Sequence, residues 1–137
     1  MAKTMAGSVK LKGTFEVLSG DEETWLGGDG DVKLTRVLGA QRFEGDIEGD
    51  GSIAWLMCYR PDGSARLVGM QRIEGAMAGR SGSLVMEAVG DHDGQSSTAT
   101  WKVVPGTGTG DLAGVRGNGR FVARGKRVDY ELELELA

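Results

Sequence analysis

The chain has 137 residues, enough for one domain with its own core, read as 1–137. Its 16 basic and 20 acidic residues leave a net charge of −4, which excludes the basic face of a nucleic-acid binder. One cysteine, one histidine and no apolar run longer than Ile53–Tyr59 exclude a disulfide framework, a multi-cysteine metal site and a membrane helix.

Glycine punctuates the whole chain, 24 of 137 residues against an ordinary share of about 7%, so no helix of ordinary length fits. The opening Met1–Gly7 lacks the apolar centre of a signal peptide. Residues 9–18 place Val9, Leu11, Gly13, Phe15 and Val17 on one face and Lys10, Lys12, Thr14 and Glu16 on the other. That period of two marks a half-buried strand. Residues 32–48 form one long run whose alternation breaks near Gly39-Ala40, read as a bulge or bend at a barrel corner. Residues 52–60 and 64–74 flank Pro61-Asp62-Gly63, a hairpin turn. Residues 83–90 follow the tight link Gly79-Arg80-Ser81-Gly82, and 96–104 follow Asp91-His92-Asp93-Gly94. Residues 118–124 follow a glycine-rich loop. The basic cluster Arg124, Lys126 and Arg127 reads as a solvated turn. The last run, 126–137, sets Val128, Tyr130, Leu132, Leu134 and Leu136 against Asp129, Glu131, Glu133 and Glu135. Eight strands with short links predict an all-β fold, a closed antiparallel eight-stranded barrel without exposed edges. A two-sheet sandwich is the competing architecture.

Strand 53–59 is apolar on both faces. Trp55, Met57 and Tyr59 are assigned inward. Their inward partners are Leu67, Gly69, Gln71 and Ile73, then Val85, Glu87 and Val89, then Ala99, Trp101 and Val103. The lining is then aromatic and apolar with three polar groups, Tyr59, Gln71 and Glu87, which is the profile of a small-molecule pocket. Glu87 and Tyr59 are the candidate catalytic residues. A buried Glu87 carboxyl would act as acid or base, while Tyr59 and Gln71 would bind developing negative charge. Trp55, Met57, Gln71, Trp101 and Phe15 are the candidate ligand contacts. A slip of one residue turns Glu87 outward, as a plain surface residue over a packed interior. Ala54, Leu56 and Cys58, with Val68 and Met70, then form an outer apolar patch. The patch predicts a homo-oligomer, dimer or trimer, unless a loop or the N-terminal segment covers it.

Gly108-Thr109-Gly110-Asp111-Leu112-Ala113 matches the dinucleotide pattern G-x-G-x-x-A, but that pattern must open a helix. Gly114, Gly117 and Gly119 argue for a barrel-closing turn instead. His92 reads as an exposed turn residue, and Asp91 and Asp93 beside it are too few for a structural metal. Cys58 reads as an inert packed thiol in a reducing, cytoplasmic setting. No metal, nucleotide or flavin is therefore expected.

Several segments carry a family likeness. They are Leu56 to Gly63, Val68-Gly69-Met70-Gln71-Arg72, Gly79 to Ser83, and Trp101-Lys102-Val103-Val104-Pro105-Gly106 running on to Gly114. Together, from about Gly13 to Tyr130, they resemble a bacterial family of unknown function with an allene oxide cyclase-like barrel. Gly106 to Gly117 also resembles the glycine-rich turn of plant allene oxide cyclases and dirigent proteins. The resemblance implies an eight-stranded barrel with an apolar cavity and a tendency to oligomerise. It does not imply allene oxide cyclisation. Where that family often carries Trp-Asp-Glu near the end of the first strand, this chain reads Ser19-Gly20-Asp21-Glu22-Glu23, and Gln71 stands where Glu is frequent.

The functional expectation is a barrel that handles a small hydrophobic molecule without a cofactor, nucleic acid or membrane. It is either a cyclase or isomerase, working by orienting its substrate, or a non-catalytic binding protein. A barrel filled by its own side chains and used for assembly is the third reading.

Overall fold

A computed structural model describes residues 7–28, 30–125 and 127–136. Lys126 and Met1–Ala6 lie outside them. The eight strands are β1 (Ser8–Gly27), β2 (Lys33–Gly45), β3 (Ile47–Tyr59), β4 (Ala65–Met77), β5 (Arg80–His92), β6 (Ser97–Val103), β7 (Arg116–Arg124) and β8 (Arg127–Glu135). They close in chain order into one barrel, each antiparallel to both neighbours. Short hairpin links dictate most of that order, since such links join only adjacent antiparallel strands, and the longer loop from β6 to β7 also joins neighbours. The one helical element described is a 3-10 turn, Gly110–Leu112, and no helix described is long and apolar enough to cross a membrane.

Two strand assignments are corrected. The run 32–48 is two strands, because the chain turns at Gly45, whose φ is +100°, and Asp46. Asp46 Oδ2 accepts from the Lys12 N–H at 2.9 Å and fastens that turn to β1. Phe43 and Ile47 both point inward across the turn, so the alternation runs through it unbroken. The first strand, in turn, does not stop at 18 but continues to Gly27. The bulge expected near Gly39-Ala40 lies on β1, where the register shifts between Val17 and Ser19. Gly39 is its counterpart on β2: a Cβ there would sit 2.2 Å from the Ser19 carbonyl oxygen.

The lumen is filled with rings. Phe15 lies 4.9 Å from Phe43 and 5.5 Å from Phe121, centroid to centroid, and Trp101 lies 5.6 Å from Phe121. Offset and edge-on contacts at such spacings add to the burial of the rings themselves. One end of the barrel is sealed. The loop after β6 folds across it and buries Leu112 and Val115. Thr109 N–H donates to the Ser83 carbonyl at 2.9 Å, and the Thr107 hydroxyl accepts from the Val85 N–H at 3.1 Å. The G-x-G-x-x-A stretch is therefore a closing turn, with Gly110 at φ +58° where a side chain would be strained.

Candidate functional site

The opposite end is open. It is framed by the hairpins that follow β1, β3, β5 and β7, and its inward side chains Val37, Trp55, Met57, Tyr59, His92 and Ala123 are half-buried. Trp55 makes the floor. Its ring crosses the lumen and stacks on Phe121, with centroids 5.9 Å apart and planes at 15°. Gly69 makes room for it, since a Cβ at that position would fall 2.5 Å from Trp55 Cδ1.

The β1 bulge places a carboxylate above this floor. Up to Val17 the inward residues of β1 are odd-numbered; the extra residue reverses the phase, and Glu22 comes to pair with inward-facing Val37. Glu22 Oε2 accepts two short hydrogen bonds, from Tyr59 Oη at 2.6 Å and from Thr35 Oγ1 at 2.6 Å. Thr35 is buried, whereas Glu22 is open to solvent. Lys33 Nζ stands 5.0 Å from the centre of the Tyr59 ring. Burial pushes the Tyr59 phenol up to about 12, and the hydrogen bond and charge of Glu22 act in the same direction. At neutral pH the phenol is thus a proton donor held against a carboxylate. Across the rim, His92 Nδ1 lies 2.8 Å from Ser97 Oγ.

Deeper in, Trp101 Nε1 donates to Gln71 Oε1 at 3.1 Å, and Gln71 Nε2 donates to Gln41 Oε1 at 2.5 Å. Among the described residues, the buried side-chain polar atoms without a partner are Gln41 Nε2 and Trp55 Nε1. Hollows of about 430 and 530 Å³ lie on the outside of the wall, among Lys12, Arg120, Glu131 and other charged side chains of β1, β7 and β8.

The family model described as a protein of unknown function (DUF3224) matches residues 11–134. The chain belongs to the DUF3224 family. A crystal structure of a DUF3224 protein of unknown function from Shewanella oneidensis MR-1, at 1.84 Å resolution, is similar to it. The two chains are 28% identical over 96% of this chain and 98% of that one, with a TM-score of 0.81. No curated protein matches the chain.

In this DUF3224 barrel, Trp55, Met57 and Tyr59 face inward as expected and lie toward the open end, while Gln71 and Trp101 lie below them, fully buried. Phe15 sits in the packed ring cluster. Glu87 is corrected: it is exposed on the outer wall, between Met70 and Lys102. The even residues Leu84, Met86 and Ala88 fill the lumen instead. The run from Leu84 to Val89 is apolar apart from Glu87, so its pattern gives no phase. The pairing of Ala88 with Gly69 and Trp101 decides it. His92 is not an exposed turn residue but the half-buried, inward-facing end of β5. Cys58 points outward. Glu22, Thr35 and Gln41 were missed because their phase depends on pairing and on the bulge. The acidic run Asp21-Glu22-Glu23 was the available signal for Glu22.

Proposed function

We propose that this DUF3224 barrel binds a small, mainly apolar molecule at its open end, without a cofactor. One observation carries the reading: a half-open aromatic floor, Trp55 on Phe121, lies beneath a polar cluster in which Glu22, Tyr59 and Thr35 meet within hydrogen-bond distance. Apolar walls with a few convergent polar groups are what such ligands require. The lumen below is packed, so the molecule occupies the upper part of the barrel, and Met57 is the flexible side chain able to move aside for it. The test is titration with the uncharged fluorophore N-phenyl-1-naphthylamine. Saturable binding of one probe per chain is expected, weakened about tenfold or more by Ala123→Phe at the rim and unchanged by Met70→Arg on the outer wall. Binding that ignores Ala123→Phe and follows Met70→Arg would place the probe on the outer surface and refute the reading.

The Glu22–Tyr59 pair supports a second reading, a cofactor-free isomerase or cyclase. Glu22 would take a proton from bound substrate and Tyr59 would donate one or bind developing negative charge. A substrate that turns over in the native protein but only binds in Glu22→Gln would establish it.

The outer wall supports a homo-oligomer. Leu38, Leu56, Val68 and Met70 are 46%, 48%, 41% and 48% exposed, and they sit on the adjacent strands β2 to β4. Burying such a patch gains about 25 cal/mol per Å². Lone Cys58 fits a reducing, cytoplasmic setting.

A further inference from the structure

We propose that the bare edge of β1 receives an extended, basic peptide segment as an added antiparallel strand. β1 outruns its neighbour at the seam of the barrel. Its pairing with β8 ends at Glu16 and Arg127, whereas its pairing with β2 continues to Gly27. Every residue from Leu18 to Gly27 is exposed, and among the described residues no main chain bonds to them on the β8 side. The barrel meets the same situation on β5 and covers it there. β5 pairs with β6 only from Met86 onward, and the sealing loop takes up the bare part. Val104 N–H donates to the Val85 carbonyl at 2.9 Å, Thr109 N–H to the Ser83 carbonyl at 2.9 Å, and Ser83 N–H to Thr109 Oγ1 at 3.0 Å. A strand edge left bare is a template for another strand.

The bulge decides which groups the edge offers. The Lys12 carbonyl accepts from the Asp46 N–H, so before the bulge the even residues of β1 turn their main chain toward β2. The extra residue reverses that phase. Gly20, Glu22 and Thr24 therefore present their N–H and C=O groups at the edge, while Asp21 and Glu23, paired with outward-facing Leu38 and Arg36, lie on the outer face beside it. Those two carboxylates choose the occupant. A second copy of β1 paired along the whole bare edge would lay the same acids against them, and like charges across adjacent strands repel. A segment with lysine or arginine at alternate positions is attracted instead. Next to the acids a hollow of about 350 Å³, lined by Glu23, Thr24, Trp25, Arg36 and Leu56, suits an apolar side chain of the same segment. Strand addition of this kind draws its affinity from main-chain bonds and its specificity from alternate side chains.

The test adds the peptide acetyl-Thr-Leu-Thr-Lys-Thr-Lys-Thr-amide to the full chain and follows amide hydrogen exchange by NMR. Antiparallel addition sets its leucine toward Trp25 and its lysines toward Glu23 and Asp21. In the free chain the Gly20, Glu22 and Thr24 N–H groups should exchange rapidly, and saturating peptide should slow them about tenfold or more. Replacing both lysines of the peptide by glutamate should weaken binding about tenfold or more. Gly20→Pro removes one edge donor at a position where a Cβ would meet nothing closer than Val37 Cγ1 at 3.8 Å, and Asp21→Lys reverses a charge without touching the main chain; each should weaken binding about tenfold. Slow exchange of the three amides in the free chain would show the edge already covered, by a second copy if dilution releases it, and would overturn the proposal. A peptide that does not bind, that binds without slowing those amides, or that binds equally well in its glutamate form would overturn it too.

Discussion

Tyr59 and Tyr130 share a physical state that can be measured directly. Burial pushes each phenol up to about 12. Below pH 10 both are protonated whether the chain is folded or not, and their contribution to stability is fully present. Between about pH 10 and 12 the unfolded chain loses these protons first, so stability falls as pH rises. Absorbance titration of the folded protein should show tyrosinate appearing with midpoints near 12, and Glu22→Gln should lower the one belonging to Tyr59. A midpoint at the ordinary value of about 10 for both would show that neither phenol is held as described. Tyr130 also has a structural task. Its hydroxyl accepts from the buried Ile47 N–H at 2.9 Å and donates to the Glu44 carbonyl at 3.0 Å, tying the β2–β3 turn to β8. Tyr130→Phe strands that N–H, and denaturant unfolding should report a loss of about 1–3 kcal/mol. A loss below the error of the measurement would mean that the turn holds without it.

At the scale of elements, the β1 bulge shifts the phase between the two halves of the strand. Deleting Leu18 removes the extra residue and makes the pairs Val17–Gln41 and Ser19–Ala40 adjacent, so the period of two becomes continuous while Glu22 still pairs with inward-facing Val37. β1 keeps its pairing with β8 from Ser8 to Glu16, so the barrel should still form. The Tyr59 midpoint should therefore stay near 12 in the deletion variant, unlike in Glu22→Gln; a midpoint that falls as it does in Glu22→Gln would mean that the bulge itself, and not the pairing with Val37, holds Glu22 in place. This element also marks the limit of what the sequence discloses. The strands, the hairpin at Pro61-Asp62-Gly63 and the inward phase of β3, β4, β6 and β8 are legible, because apolar and polar residues alternate there or a turn fixes the register. Two features hide the rest. A bulge changes phase without changing composition, so Glu22 reads as one acid in a run of three. On β5, Val85 and Val89 make both faces apolar, so only the pairing of Ala88 with Trp101 shows that Glu87 points outward.

For the whole molecule, the two ends differ: Leu112 and Val115 are buried under the loop that seals one, while the inward side chains at the other, among them Trp55, Met57 and Tyr59, are half-buried. Its outer wall carries a separate apolar patch. Light scattering at micromolar concentration should give a multiple of the 14.5 kDa chain mass, reduced toward one chain by Leu56→Glu together with Met70→Glu. A native mass of 14.5 kDa would show that the patch is not an interface between copies. The open end and the patch each bear a methionine, on adjacent strands and opposite faces of the wall, Met57 inward and Met70 outward. That placement allows the central claim to be read in a single spectrum. In protein labelled with ¹³C at the methionine methyl groups, saturating N-phenyl-1-naphthylamine should shift Met57 and leave Met70 unmoved. A spectrum in which Met70 shifts and Met57 stays would contradict the claim that the open end of the barrel is the binding site.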